Sequence, residues 1–254
     1  MKDYRKNCSE EELRFLESYD PDRYKKPSVT ADIVIFTMDE DNELCILLIR
    51  RGGFPYKDHW AIPGGFLEAG QESPDDTARR ELFEETGLKD VALTQLYTFG
   101  DPGRDPRTHV VSVVYTALVP RSKLDFKAGD DAKDARLFKI RYDIDGLSFV
   151  SGSELVSKDD LAFDHAKIIE LAIKRLRNRI DYEADAFSLL KDSSSFTIYE
   201  LKLIFESIKN RSLDTANFRK FFMRNWVSSG MVRDRGVKSE GAGRKPAELY
   251  EFVK

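Results

Sequence analysis

Three carboxylates are the first residues in this chain that invite a chemical reading. Glu81, Glu84 and Glu85 stand at i, i+3 and i+4, so on a helix they crowd one face. Like charges this close repel, and no requirement of folding brings them together. A hard divalent cation such as Mg²⁺ or Mn²⁺ relieves the repulsion, because it takes oxygen ligands and binds through a few carboxylates together with phosphate. Arg80 can hold one carboxylate in place, and Glu72 lies upstream as a further acid. Gly64 and Gly65 let the backbone approach closely, so a carbonyl there can complete a metal shell. Such a centre suits cleavage of a diphosphate: the cation neutralises phosphate charge, activates water and steadies the leaving group, while a carboxylate off the metal serves as general base. Alone, Glu84-Glu85 would read as an exposed acidic helix. With Arg80-Glu81 before it, Gly87 after it and the glycine loop ahead, the metal reading is the stronger.

The element that must present these side chains is a helix over 74–86. Ser73 is a natural N-cap, Pro74 fits the first helical position, Asp75 and Asp76 complement the positive end of the dipole, and Gly87 stops the helix. Ahead of it, Ile33 to Phe36 and Leu44 to Ile49 are β-rich runs around the turn-like Asp39-Glu40-Asp41-Asn42, a hairpin pattern. Strands are expected near Leu93 to Phe99, Val110 to Val119 and Ala135 to Ile140. A second helix is expected over about 163–180 from the spacing of Ile169, Ile173, Leu176 and Ile180. A short helix near Glu11 to Ser18 falls in an otherwise weakly patterned opening.

These residues resemble the Nudix box: a glycine, five residues, Glu, seven residues, Arg-Glu, an aliphatic residue, any residue, Glu-Glu, any residue, Gly and an aliphatic residue. From Glu72 to Leu88 the match is complete; the one departure is that six residues, not five, separate Gly65 from Glu72. The resemblance implies an α+β fold, the Nudix α/β/α sandwich with a mixed sheet. It also implies that Glu81 and Glu85 are metal ligands, with Glu84 next and Glu72 in support. The general base stays open between Glu81 and an acid of the loop holding Asp125, Asp130 and Asp131.

The loop from Thr98 to Arg107 carries Arg104 and Arg107 between prolines, with Phe99 or Tyr97 available for stacking. That composition suits a phosphate or ribose contact, and equally a rigid loop whose arginines pair with Asp101 and Asp105. With Trp60 to Gly65 and Ala162 to His165, the loop resembles the ADP-ribose-handling branch of the superfamily, which adds Arg51 to Arg104, Arg107 and Phe99 as substrate-binding positions. Asp164-His165 reads more simply as a helix cap and a surface histidine.

The formal net charge is −4, but from Lys191 onward thirteen basic side chains stand against eight acidic ones, a local +5 that leaves −9 on the rest. An acidic front and a basic rear mark two units with different partners. The rear reads as a helix over 197–209, a second over 213–227 opened by Asp214, and the arms of a hairpin whose tip is Gly241 to Pro246. That is a winged helix-turn-helix pattern, with Asn217, Arg219, Lys220 and Arg224 facing a DNA groove and Arg244 and Lys245 on the wing. This tail resembles the C-terminal domain of Nudix-related transcriptional regulators of NAD metabolism, although Thr215 and Ala216 stand where that family commonly has basic residues. A winged helix also serves as a dimerisation module, and a homodimer is expected.

The chain thus divides into an N-terminal extension over 1–27, a Nudix domain over 28–185, a linker over 186–196 ending in a serine run, and a winged helix-turn-helix over 197–254. Two cysteines in different settings give no disulfide framework or zinc site. The charged opening lacks the apolar stretch of a secretory signal, and no apolar run approaches the ~20 residues of a membrane span, so a cytoplasmic protein is expected. The leading reading is a Mg²⁺- or Mn²⁺-dependent hydrolase of ADP-ribose or a related nucleoside diphosphate sugar. The alternative is a transcriptional regulator that senses ADP-ribose, binds double-stranded DNA and hydrolyses weakly or not at all. A sanitiser of damaged nucleoside triphosphates would leave the arginine loop and the basic tail unexplained.

Overall fold

The computed structural model describes residues 4–124, 132–143, 146–240 and 246–253. After helix α1 (Glu10–Ser18) come strands β1 (Ser28–Met38), β2 (Leu44–Arg51), β3 (Trp60–Ala61) and β4 (Gly64–Phe66), then helix α2 (Pro74–Thr86). Strands β5 (Leu93–Phe99), β6 (Val110–Leu118), β7 (Ala132–Asp143), β8 (Gly146–Ser151) and β9 (Glu154–Ser157) lead to helix α3 (His165–Arg179). The sheet runs β5-β6-β1-β2-β7-β8-β9, with β3 on β2 and β4 on β1. β1 pairs parallel to β6 and antiparallel to β2, so the sheet is mixed.

The alternation of β1 explains the layering. Ala31, Ile33 and Ile35 pack with Ala78 and Leu82 of α2, whereas Val34, Phe36 and Met38 face Ile168, Ile169, Ile173 and Leu176 of α3. Period-2 side chains on a strand buried on both faces demand a helix on each side. The result is the α/β/α sandwich. The ends of α2 are set as its sequence dictates: the Ser73 hydroxyl accepts from the Asp76 amide, the Asp76 side chain returns the bond, and Gly87 at φ 69° donates its amide to the Phe83 carbonyl. β8 and β9 were not legible in the sequence, and β7 runs well past Ala135 to Ile140 at both ends.

The C-terminal unit contains β10 (Phe196–Thr197), α4 (Ile198–Lys209), α5 (Thr215–Phe222), a π-helical turn over Met223–Val227, β11 (Val232–Lys238) and β12 (Glu248–Phe252). Its sheet order is β10-β12-β11. Helix, helix and hairpin form a winged helix-turn-helix. The second helix was expected to continue to 227; instead its last turn widens, which keeps Trp226 buried beside Phe221. The segment 186–196, expected as a linker, is packed: Phe187, Leu189, Leu190 and Phe196 are buried in the same core as α3 and the winged helix. Among the described residues no helix is long and apolar enough to cross a membrane.

Candidate functional site

The glutamate face of α2 opens onto a cavity of about 750 Å³ lined by Asp32, Gly64, Gly65, Arg80, Glu81, Glu84 and Glu85 on one side, and Arg51, Phe54, Arg104, Arg107, Phe163 and His165 on the other. Arg80 organises the acidic wall. Its Nε donates to Glu72 Oε1 at 2.8 Å, and its Nη1 donates to Glu81 Oε1 at 2.7 Å and to Glu84 Oε2 at 3.2 Å. Its Nη2 donates to the Phe66 carbonyl at 3.2 Å. One guanidinium therefore holds three carboxylates, not one. The Glu72 carboxyl is held down at about 2, chiefly by the Arg80 hydrogen bonds, with help from the Thr77 hydroxyl.

Glu81 and Glu85 are buried, and Glu84 is half exposed. Burial pushes the Glu81 carboxyl up, and Arg80 opposes that shift. Gly65 is shaped to this carboxylate: a Cβ there would lie 1.9 Å from Glu81 Oε1. Gly64 and Gly65 are held against Asp32 and Ala31 in the β1–β4 register. Gly70, in the segment that carries the extra residue between Gly65 and Glu72, has φ 83°, and a Cβ there would meet nothing. Gly65 packs directly on Glu81 of α2. Buried carboxylates converging on two glycines whose lack of a Cβ permits the close approach form the donor set a hard divalent cation takes, so the residues present fit Mg²⁺ or Mn²⁺.

A second acidic cluster, Asp39, Asp41 and Glu43, lies outside this cavity. The Lys139 ammonium sits within it, at 2.9, 2.8 and 2.7 Å from the three side chains, and Arg141 takes Glu43 as well. Two protein cations face its three carboxylates, an ion-pair network set apart from the cavity.

The opposite wall corrects several expectations. Arg104 pairs with Asp164, through Nε to Oδ2 at 3.0 Å and Nη2 to Oδ1 at 2.6 Å, and not with Asp101. Arg107 does pair with Asp105, at 2.8 Å, and lies over the Phe66 ring. Arg51 lies over the Phe163 ring at 5.0 Å. Phe99 does not line the cavity; it packs edge-on against Tyr97, and the aromatic surface comes from Phe54, Phe66 and Phe163 instead. Asp164 does not cap its helix, and His165 is buried. The Ile62 amide donates to His165 Nδ1 at 3.1 Å, which leaves the ring proton on Nε2. Burial pulls the imidazole down to about 3, so it is neutral.

Sequence reading missed Asp32. Its carboxylate is buried on the cavity wall and accepts the Ser112 hydroxyl, and burial raises it to about 6. The available signal was a lone acid inside the apolar run Ala31 to Phe36. Asp125, Asp130 and Asp131 lie outside the described residues.

In the winged helix, Asn217, Arg219, Lys220 and Arg224 are exposed on or just beyond α5, opposite the buried Phe218 and Phe222. Arg219 is 3.5 Å from Glu248, with both side chains substantially exposed, a pairing that contributes little to stability. Arg244 and Lys245 lie outside the described residues.

Sheet, glutamate helix and winged appendage together define a Nudix protein with a DNA-binding module, and the chain belongs to the Nudix family. The NUDIX domain model matches residues 26–171 and the NrtR DNA-binding winged helix domain model matches residues 186–252. Over 250 residues the chain is 36% identical to the ADPR responsive transcriptional repressor NtrR of Acinetobacter baylyi, covering 98% of this chain and 91% of that protein. It is 41% identical over 147 residues to the ADP-ribose pyrophosphatase of Methanocaldococcus jannaschii, covering 58% and 73% respectively. The crystal structure of Shewanella oneidensis NrtR complexed with a 27mer DNA is similar at a TM-score of 0.66 and 29% identity, over 89% of this chain and 93% of that one. The chain is an ADP-ribose pyrophosphatase-like Nudix domain fused to an NrtR-type DNA-binding domain.

Proposed function

We propose that this chain is a divalent-metal-dependent hydrolase of ADP-ribose, or of a closely related nucleoside diphosphate sugar, joined to a domain that binds double-stranded DNA. The observation that carries the hydrolase reading is the acidic wall: Glu72, Glu81 and Glu84 tied together by Arg80, Glu81 seated against Gly65, and the buried Glu85 beside them on the cavity. Glu81 and Glu85 would hold the cation, together with Glu84 and the backbone carbonyls of Gly64 and Gly65. A bound Mg²⁺ or Mn²⁺ supplies neutralisation of the diphosphate oxygens and activation of water. Arg107 and Arg104 meet the phosphates, and Phe54, Phe163 and Arg51 offer faces for the base. Water adds across one P–O–P linkage, giving AMP and ribose phosphate. Measured turnover of ADP-ribose with Mg²⁺, lost in Glu85→Gln, tests this; a chain with no metal-dependent turnover would leave the acidic wall without its assigned role.

A second reading, that ADP-ribose in this cavity controls the grip on DNA, is favoured by a specific feature. α3 starts at the cavity with His165 and ends against α4 of the winged helix, where Arg177 Nε donates to the Ile208 carbonyl at 2.8 Å. The likeness to a repressor over nearly the whole chain supports it. DNA binding that weakens on addition of ADP-ribose is the expected result, and the readings are compatible. A homodimer in the cytoplasm, dividing near 186–196 into its two units, completes the proposal.

A further inference from the structure

Asp164 occupies the N-cap position of α3, yet its side chain makes no capping bond. An N-cap aspartate ordinarily accepts from the amides of the first helical turn, a bond worth ~1 kcal/mol. Here the carboxylate is committed to Arg104 by two hydrogen bonds, with both side chains largely buried. Arg104 lines the cavity, whereas Asp164 does not. The arginine thus links the cavity wall to the N-cap of α3, whose first residue, His165, also lines the cavity. The Asp164 carboxylate has two competing partners, the guanidinium and the Ala166 amide: the His165 amide already donates to the Ala162 carbonyl and the Lys167 amide to Asp164's own carbonyl, and of the two only the guanidinium is engaged by the side chain.

The other end of α3 reaches the DNA-binding unit. Arg177 Nε donates to the Ile208 carbonyl at 2.8 Å. Asp181, just past the helix, accepts from Lys209 Nζ with both oxygens at 2.6 Å. From β2, the Leu44 amide donates to Ser207 Oγ at 2.7 Å. Ser207, Ile208 and Lys209 form the last turn of α4, directly ahead of the turn that aims α5. A helix of this length spans about 22 Å at ~1.5 Å per residue and carries displacement from one end to the other.

We infer that the Arg104–Asp164 pair is a ligand-operated latch. A diphosphate in the cavity offers the guanidinium a doubly charged, bidentate partner; Arg104 leaves Asp164, the freed carboxylate turns to cap α3, and the resulting shift of α3 passes through Arg177 and Asp181 to the last turn of α4, moving α5 off DNA. The two arrangements of Asp164 are the bistable element such coupling requires. The inference rests on the reading of the chain as an ADP-ribose-responsive DNA-binding protein.

The test uses the full chain, a labelled duplex of its own upstream DNA and ADP-ribose, read by fluorescence anisotropy, with ligand affinity measured separately by calorimetry. In the wild type, saturating ADP-ribose is expected to weaken DNA binding about ten- to a hundredfold. Asp164→Asn keeps the capacity to cap but loses the charge that holds Arg104. It is expected to bind DNA weakly before any ligand is added, and to respond little afterwards. A double variant at the far end, Arg177→Met with Lys209→Met, is expected to bind ADP-ribose as the wild type does while the ratio of DNA affinities without and with ligand falls toward one. Asp164→Asn gripping DNA tightly and releasing it fully would overturn the latch. So would a far-end variant with an undiminished response, which decides the matter should Asp164→Asn fail to fold. A wild type that binds DNA but ignores ADP-ribose would instead sink the regulatory reading on which the latch rests.

Discussion

Replacing Gly65 by alanine separates the catalytic reading of the acidic wall from a structural one. A Cβ at this position would lie 1.9 Å from Glu81 Oε1 and 2.5 Å from its carboxyl carbon. The Gly65 backbone is held by pairing with Ala31, so the side chain must yield. To regain ordinary contact at 3.4 Å, the Glu81 oxygen has to retreat by about 1.5 Å. That displacement breaks the 2.7 Å hydrogen bond from Arg80 and carries the carboxylate off the position where it faces Gly64 and Gly65. Misplacement of a reacting or ligating group by about 1 Å costs roughly 10²-fold in rate, or about 2.7 kcal/mol of barrier. The stability cost is smaller, on the order of 1–2 kcal/mol for one charge-assisted bond, and lowers Tm by only a few degrees in a chain of this size. The assay is kcat/KM for ADP-ribose with saturating Mg²⁺, alongside thermal unfolding. Gly70→Ala supplies the opposite case: its φ of 83° strains an alanine, but a Cβ there meets nothing, so stability falls by about 1 kcal/mol while turnover holds. Wild-type turnover in Gly65→Ala, or an equal loss in Gly70→Ala, would refute the argument that Glu81 is seated against the glycine for catalysis.

Three further outcomes are expected. Chelation of divalent ions abolishes ADP-ribose turnover and Mg²⁺ or Mn²⁺ restores it, and in Glu85→Gln no metal concentration does; full activity under chelation would remove the metal from the scheme. Arg219→Ala weakens binding to duplex DNA and lowers the slope of log K against log salt by about one, whereas an unchanged slope would mean that α5 does not meet phosphate. Because His165 is held near 3 in the fold, against 6.5 ordinarily, the unfolded chain takes up the extra proton between those values. Stability therefore falls as pH drops through that window, by at most about 1.4 kcal/mol per pH unit. Asp32, raised from 3.8 to about 6, works in the opposite sense, so the comparison is wild type against His165→Asn by urea unfolding at several pH values. Equal slopes in the two proteins would exclude the histidine.

The glutamate helix α2 was legible in the sequence because its information is local. Caps, dipole residues and carboxylate spacing all fall between Ser73 and Gly87, and the helix occurs over the residues they mark. The far wall of the cavity was read less well because its parts come from distant segments that only the fold unites. Asp164 sits sixty residues from Arg104, and no local pattern pairs them. Phe99 and Tyr97 were read as stacking positions from their nearness to the arginines in sequence, yet on β5 the two rings pack edge-on against each other, and Phe54 and Phe163, from distant segments, line the cavity. The edge hairpin β8–β9 escaped notice because its burial alternates over short strands bounded by ordinary residues. Asp32 was hidden by the opposite circumstance, an acid in a run that every neighbour marks as core.

The segment 186–196 was misjudged for a reason that bears on function. Its serines and weak periodicity read as a tether, yet its apolar residues fold into a 3₁₀ turn that buries Phe187 between the two units, stacked on Phe252 at 4.5 Å and edge-on to Trp226. With Leu189, Leu190 and Phe196 also buried, at roughly 1.5–3 kcal/mol per side chain, the joint is comparable to the whole net stability of a typical domain, about 5–15 kcal/mol. A flexible tether would let the winged helix stay put while the Nudix domain changed shape, and any movement begun at the cavity would be lost. A joint of this strength holds the end of α3 and the last turn of α4 in fixed contact. Small shifts at the cavity wall then have no slack in which to dissipate before they reach α5, whose Phe222 packs against Phe196 of the same joint.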